Sequence, residues 1–228
     1  MNKLKTMTLD SLQLKLIGFV MTLIGAVGIT FFSGGGQETI RLILEFISYP
    51  AIAIFAFLVV EGHQKSENLK KYNIALALAA VATEPFYDYA CIGSWLDYGS
   101  ANGQNFLFAL LMCQFVLVLL RTAEASEKWK NLMLVTIFPA IPFWAMLTNV
   151  RFSGVAMIFT AVFYALRTKP RARNIVSFLV GTVLKLTGGL SIPLLMKYNG
   201  QRGSYNKYLF YAAYPVMWMI LAVVKFFA

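Results

Sequence analysis

The chain has 228 residues, of which 59% are hydrophobic and only 13% charged, and it carries a formal net charge of +10. Mean hydropathy is +0.67, and apolar runs of roughly 20 residues, the length a helix needs to cross a bilayer core, recur along the chain. This excludes a soluble globular domain, and the cations lie in short clusters between the runs, as membrane topology requires, which argues against nucleic acid as a partner.

The apolar runs predict an all-α bundle spanning the membrane about eight times as one domain over 1–228, with helices near 14–32, 43–60, 74–92, 105–120, 131–148, 152–167, 174–196 and 208–227. The first follows a basic head, but it is too long for the apolar core of a signal peptide and no small-residue cleavage site follows, so it reads as a retained span. Gly34 to Gly36 in FFSGGGQET lack the strand, helix and lysine of a phosphate loop and read as a flexible turn. The second run holds Pro50 and ends in VEGHQKS, where Glu61 and His63 meet the boundary of the membrane. His63 is the only histidine, and an interfacial polar residue is its first reading, a base its second.

The third run contains TEPFYDYA, with Glu84 and Asp88 roughly on one helical face beside Pro85. Cys91 and Cys113 lack metal or disulfide spacing and read as small packing residues. Pro139 and Pro142 in the fifth run and Pro215 in the last predict kinks. Lys185 in the seventh run and Glu84 in the third both fall near the membrane midplane, where a charge costs about 2.5–3.5 kcal/mol. They are expected to face the bundle interior, either as an ion pair between the two helices or around a hydrophilic pocket. Trp95, Tyr98, Tyr198 and Tyr205 fit interfacial aromatic belts.

Lys and Arg set the orientation. With the N-terminus in the cytoplasm, that side holds Lys3, Lys5 and Lys15, the cluster at Lys65, Lys70 and Lys71, the segment Arg121 to Lys130, and the run Arg167 to Arg173. An even number of spans then places both termini in the cytoplasm. Against this rule stands KYNGQRGSYNKY, Lys197 to Tyr208, three cations and no acid on the expected outer side. Asn199-Gly200 and Arg202-Gly203 are tight-turn pairs. The segment reads either as a reverse turn or as an anion site in which Arg202, with Lys197 and Lys207, meets a carboxylate or phosphate.

In order and spacing, LKLIGFVM, PAIAIFAFLVVEGHQKS, TEPFYDYA, QNFLFALLMC, GVAMIFTAVFYALR and KYNGQRGSYNKYLFYAAYPVMWMIL resemble the TraX family of bacterial membrane proteins. The resemblance implies a fold related to membrane acyltransferases, a place in the inner membrane, and a part in pilus or fimbrial biogenesis, with pilin or another fimbrial subunit and membrane lipids as partners. It also implies N-acetyl transfer with acetyl-CoA as donor. An active enzyme needs a base, for which Glu84, Asp88, Glu61 and His63 are the candidates, and binding groups, for which Asn105, Tyr198, Asn199, Arg202 and Lys185 are the candidates. No metal is implied. The chain departs from the family's pattern at three places: MTLIGAVG has no Asp-His pair, Met217 follows YPV where a histidine is usual, and TNVRFSG offers Asn149 for an aspartate. Two other readings are a small transporter or flippase using Glu84, Asp88 and Lys185, and a non-catalytic scaffold of an assembly complex.

Overall fold

A computed structural model describes residues 8–97, 103–126, 128–185, 187–204 and 208–228. The expectations for Lys3, Lys5, Tyr98, Tyr205 and Lys207 lie outside the described residues. Helix α1 (Ser11–Phe31) opens with a capping box: Asp10 accepts from Gln13 N at 2.8 Å, and Gln13 Oε1 accepts from Asp10 N at 3.0 Å. The turn expected at Gly34 to Gly36 is present, with Gly35 and Gly36 at φ +68° and +81°, left-handed values that favour glycine. Helices α2 (Glu38–Ser48) and α3 (Pro50–Lys65) then return as one run, interrupted at Tyr49, with Pro50 opening α3 where its missing N–H costs nothing. Close approach of α1 to α2 needs the α1 glycines, since a Cβ at Gly25 would lie 2.6 Å from Ser48 and one at Gly28 would lie 2.9 Å from Leu44 Cβ.

The chain continues as α4 (Leu69–Ile92), α5 (Phe106–Ala125), α6 (Lys130–Thr148), α7 (Ser153–Ala165), α8 (Pro170–Leu184), a 3-10 turn (Gly188–Ser191), α9 (Ile192–Met196) and α10 (Tyr208–Phe227). Helix α3 is the centre: it is buried from Pro50 to Ile54 and again from Ala56 to Val60, packed by α1, α5 and α7. A helix apolar on every face belongs in such a position. On α6, by contrast, Val135, Met146 and Leu147 are exposed, as expected for a face that meets lipid.

Among the described residues, five helical stretches are long and apolar enough to cross a membrane: Ser11–Phe31, Glu38–Lys65, Phe106–Ala125, Asn131–Thr148 and Leu209–Phe227. The protein is thus a polytopic helical membrane protein, and not all of the about eight expected spans meet that length and composition among the described residues. Helix α4 has 24 residues, ample length, yet Lys70, Lys71, Glu84 and Asp88 reduce its hydropathy, and α7 has only 13 residues.

The larger correction is to the span expected at 174–196, which is a hairpin. Helix α8 runs antiparallel to α3, with Arg173 over the Phe57 ring and Lys185 over Tyr49. The chain then reverses, and the Thr187 hydroxyl donates to Phe46 O while Tyr198 reaches Phe57 and Glu61. Glycine makes the reversal possible: a Cβ at Gly181 would lie 2.5 Å from Gly189 N.

The return moves residues 197–204 to the other side from the one expected. Lys197 O accepts from Leu9 N at 2.8 Å, Gln201 O from Ser11 N at 2.9 Å, and Gly200 O from Lys65 Nζ at 2.9 Å. Helix α10 therefore starts beside the beginning of α4, with Tyr211 on Tyr72, and ends beside its far end, where Lys225 Nζ donates to Ala90 O at 2.7 Å. The described chain makes an odd number of end-to-end passes. Asp10 and Phe227 lie at opposite ends of the bundle, where the sequence reading expects both termini on one side.

Candidate functional site

At the Asp10 end, the start of α1, the end of α3, the start of α4, the start of α10 and residues 198–202 enclose a cleft of about 410 Å³. Its closing wall depends on two left-handed glycines. Gly200 has φ +77° in the Asn199-Gly200 turn, and Gly203 has φ +76° and packs so closely that a Cβ would lie 2.9 Å from both Asp10 Oδ2 and Leu12 Cβ. Both glycines of the expected turn pairs thus adopt the left-handed conformation. Asn199 shapes the rim: its backbone N donates to Leu9 O at 2.9 Å, and its side chain accepts from Gln201 N at 2.8 Å.

Four cations, Lys15, Lys65, Lys71 and Arg202, line the cleft with two carboxylates, Glu61 and Glu67. Glu61 is held twice, by an ion pair with Lys65 one helical turn on and by the Tyr198 hydroxyl, which donates at 3.3 Å. The Tyr198 ring packs edge-on to Phe57, with centroids 5.3 Å apart, and Lys65 Nζ lies 5.5 Å from its centroid. Burial and the adjacent Glu61 carboxylate push the Tyr198 hydroxyl above the ordinary tyrosine range, so it remains a neutral donor at physiological pH. The surplus of positive charge in a concave, partly enclosed site favours an anionic ligand.

The structure separates the other expected residues from this cleft. Glu84 is buried on α4, two helical turns and more beyond Ala75 on the cleft wall. Its Oε2 accepts from Asn105 N at 3.1 Å and from Asn105 Nδ2, while Asn105 Nδ2 also donates to Ala80 O at 2.9 Å and Asn105 Oδ1 caps α5 through Leu107 N at 3.0 Å. The pair joins two helices. Asp88 is buried as well, with Oδ2 accepting from Asp97 N at 2.9 Å, so it ties down the segment after α4. His63 faces the opposite side of α3 from the cleft and is buried against α5, with Nδ1 2.8 Å from Gln114 Oε1. That corrects its first reading as a solvated boundary residue.

Lys185 lies nowhere near Glu84, which corrects the expected ion pair between the third and seventh helices. Its Nζ is 4.8 Å from the Tyr49 centroid and 5.1 Å from that of Phe152, at the tip of the α8 hairpin. Glu84 and Asp88 sit one turn apart on α4, close enough to feel each other's charge, whereas Lys185 shares its surroundings with Arg151 and Glu45. Sequence reasoning missed Lys15, Lys65 and Lys71 as cleft residues because the positive-inside rule already accounted for them. The one available signal was Lys15, which stands inside an apolar run where topology alone does not require it.

A family profile described as TraX protein matches residues 7–225. The "Probable fimbrial assembly protein FimC, serogroup H1" of Dichelobacter nodosus is 24% identical over 244 residues, covering 96% of this chain and 96% of that protein. No solved structure matches.

Proposed function

Because this chain belongs to the TraX family, we propose that it serves fimbrial or pilus biogenesis from the bacterial inner membrane, with the cleft facing the cytoplasm and pilin as the protein it acts on. A relative named as a probable fimbrial assembly protein, similar over 96% of both chains, supports the pathway. The distribution of charge supports the orientation. Lys65, Lys70, Lys71, Arg167, Lys169, Arg171 and Arg173 all belong to the Asp10 end, and the hairpin adds Lys197 and Arg202 to it. Arg41, Arg151, Lys185 and Lys225 are left for the other end.

The observation that carries the reading is the cleft itself: four cations around Glu61 and Tyr198 in about 410 Å³. This donor set fits the phosphates of a coenzyme A thioester, with Lys15, Lys65, Lys71 and Arg202 as their partners. Acetyl-CoA, when bound, supplies an activated acyl group. The chain's own residues do the rest. Lys65 can exchange Glu61 for a phosphate oxygen, which leaves Glu61 held by Tyr198 alone and able to accept a proton from an amine at the cleft mouth.

Two measurements test this. Purified protein in detergent is titrated with acetyl-CoA, and the double variant K65M/R202M is expected to bind at least tenfold more weakly; equal binding would remove the cleft from the reading. Deletion of the gene is expected to abolish surface fimbriae, and unchanged fimbriation would overturn the pathway. The intact mass of pilin from the two strains then separates acyl transfer, seen as one acetyl group missing after deletion, from assembly without transfer.

A further inference from the structure

At the opposite end of the bundle from the cleft, a second cavity of about 50 Å³ lies in the core, and Arg151, Tyr87, Tyr214 and Trp218 reach its wall. Arg151 is placed there by an unusual backbone. The residues on either side of the Val150-Arg151 pair, Asn149 and Phe152, have φ +45° and +59°, and for an aromatic residue the left-handed region is uncommon. A short bridge holds the corner: Gln104 N donates to Asn149 O at 2.9 Å and Arg151 N donates to Gln104 O at 3.1 Å. Strain maintained in this way fixes where one guanidinium points.

The guanidinium has one carboxylate partner, Glu45 Oε1 at 3.3 Å, and the Tyr87 hydroxyl lies within its reach. Its Nε is buried without a hydrogen-bond partner, and so is Trp218 Nε1 on a side chain 3% exposed. The Tyr214 hydroxyl lies beside the Trp218 indole. Two orphan donors on one cavity are costly, about 1–3 kcal/mol each, and they call for an acceptor. The local charge is also unbalanced: Lys185, over the Phe152 ring, and Arg151 both approach Glu45, the one carboxylate among these three. The remaining walls, including Ala26, Ile29, Ile52 and Phe106, are apolar.

We infer that this cavity is a binding site for a small carboxylate on a short apolar stem, its oxygens on Arg151 and Trp218 and its carbons against Ala26, Ile29, Ile52 and Phe106. A planar carboxylate matches the planar guanidinium, the volume suits a few heavy atoms, and an anion that only accepts is what unpartnered N–H groups require. The site is separate from the cleft and does not depend on its ligand.

The test uses full-length protein in dodecyl maltoside with 15N-labelled tryptophan, the Trp218 indole resonance being assigned by its loss in W218F. Sodium butyrate is titrated against sodium chloride at constant ionic strength. A saturable shift of the Trp218 resonance is expected, with affinity at least tenfold lower in R151K, which keeps the charge but loses the fork. Saturation-transfer difference NMR on butyrate with W218F provides a second reading should R151K not fold, and weakened but specific binding is expected there. An unshifted resonance with a cross-peak to bound water would mean a structural water only and would overturn the inference. An equal response to inorganic phosphate would overturn the carboxylate assignment.

Discussion

Glu84 and Asn105 show how a buried carboxylate can be structural. Glu84 Oε2 takes both its hydrogen bonds from Asn105, while Oε1 has no partner. A glutamine could keep its oxygen at the first position and turn its amide into the second, so Glu84→Gln should change stability by less than about 1 kcal/mol. Asn105→Ala removes the cap on α5 and one of the two Glu84 donors, and should cost about 1–3 kcal/mol. Thermal unfolding in detergent measures both. A Glu84→Gln protein that stays folded but no longer supports fimbriae would return Glu84 to the list of candidate bases. In the sequence, the depth of Glu84 was legible from its position in the apolar run. Its partner was not, because Lys185 offered an equally plausible opposite charge and nothing local marked Asn105 as the residue that reaches back 21 positions. His63 followed the same logic: its place at the end of α3 was correct, but only the packing of α5 buries it against Gln114.

Among elements, α8 and its return decide the architecture. A continuous apolar stretch from Asn174 to Met196 looks like one crossing by length and hydropathy, and only the Thr187-Gly188-Gly189 triplet before Pro193 hints at a break. The hint is weak because glycine is common in membrane helices. What converts it into a reversal is tertiary: Gly181 and Gly189 face each other with no room for a side chain. Gly181→Ala should therefore destabilise the protein by about 1–3 kcal/mol, as overpacking does elsewhere, whereas an alanine at Gly34, which has open space around it, should cost far less. Comparing the two unfolding temperatures checks this, and equal values would contradict the hairpin packing. The other helices were legible as apolar runs bounded by polar segments, and their boundaries shifted by only a few residues.

For the molecule as a whole, the hairpin changes the parity of the crossings and resolves a charge anomaly. The sequence segment that broke the positive-inside rule obeys it once α8 and α9 begin and end on the same face. Reporters fused to the two ends should accordingly report opposite compartments, the N-terminus cytoplasmic and the C-terminus outside; two cytoplasmic reporters would restore an even count. The cleft was only partly legible in the sequence, through Glu61, Tyr198 and Arg202, since Lys15, Lys65, Lys71 and Arg202 come from positions up to 187 residues apart and meet only because the chain returns. That return also orders events in time. Leu9, Ser11 and Lys65 leave the ribosome early, yet the carbonyls that receive them belong to Lys197, Gln201 and Gly200. A nascent chain stopped before Lys197 can have every earlier helix inserted and still lack the cleft, so the site comes into being only when a segment made late is fastened to one made long before it.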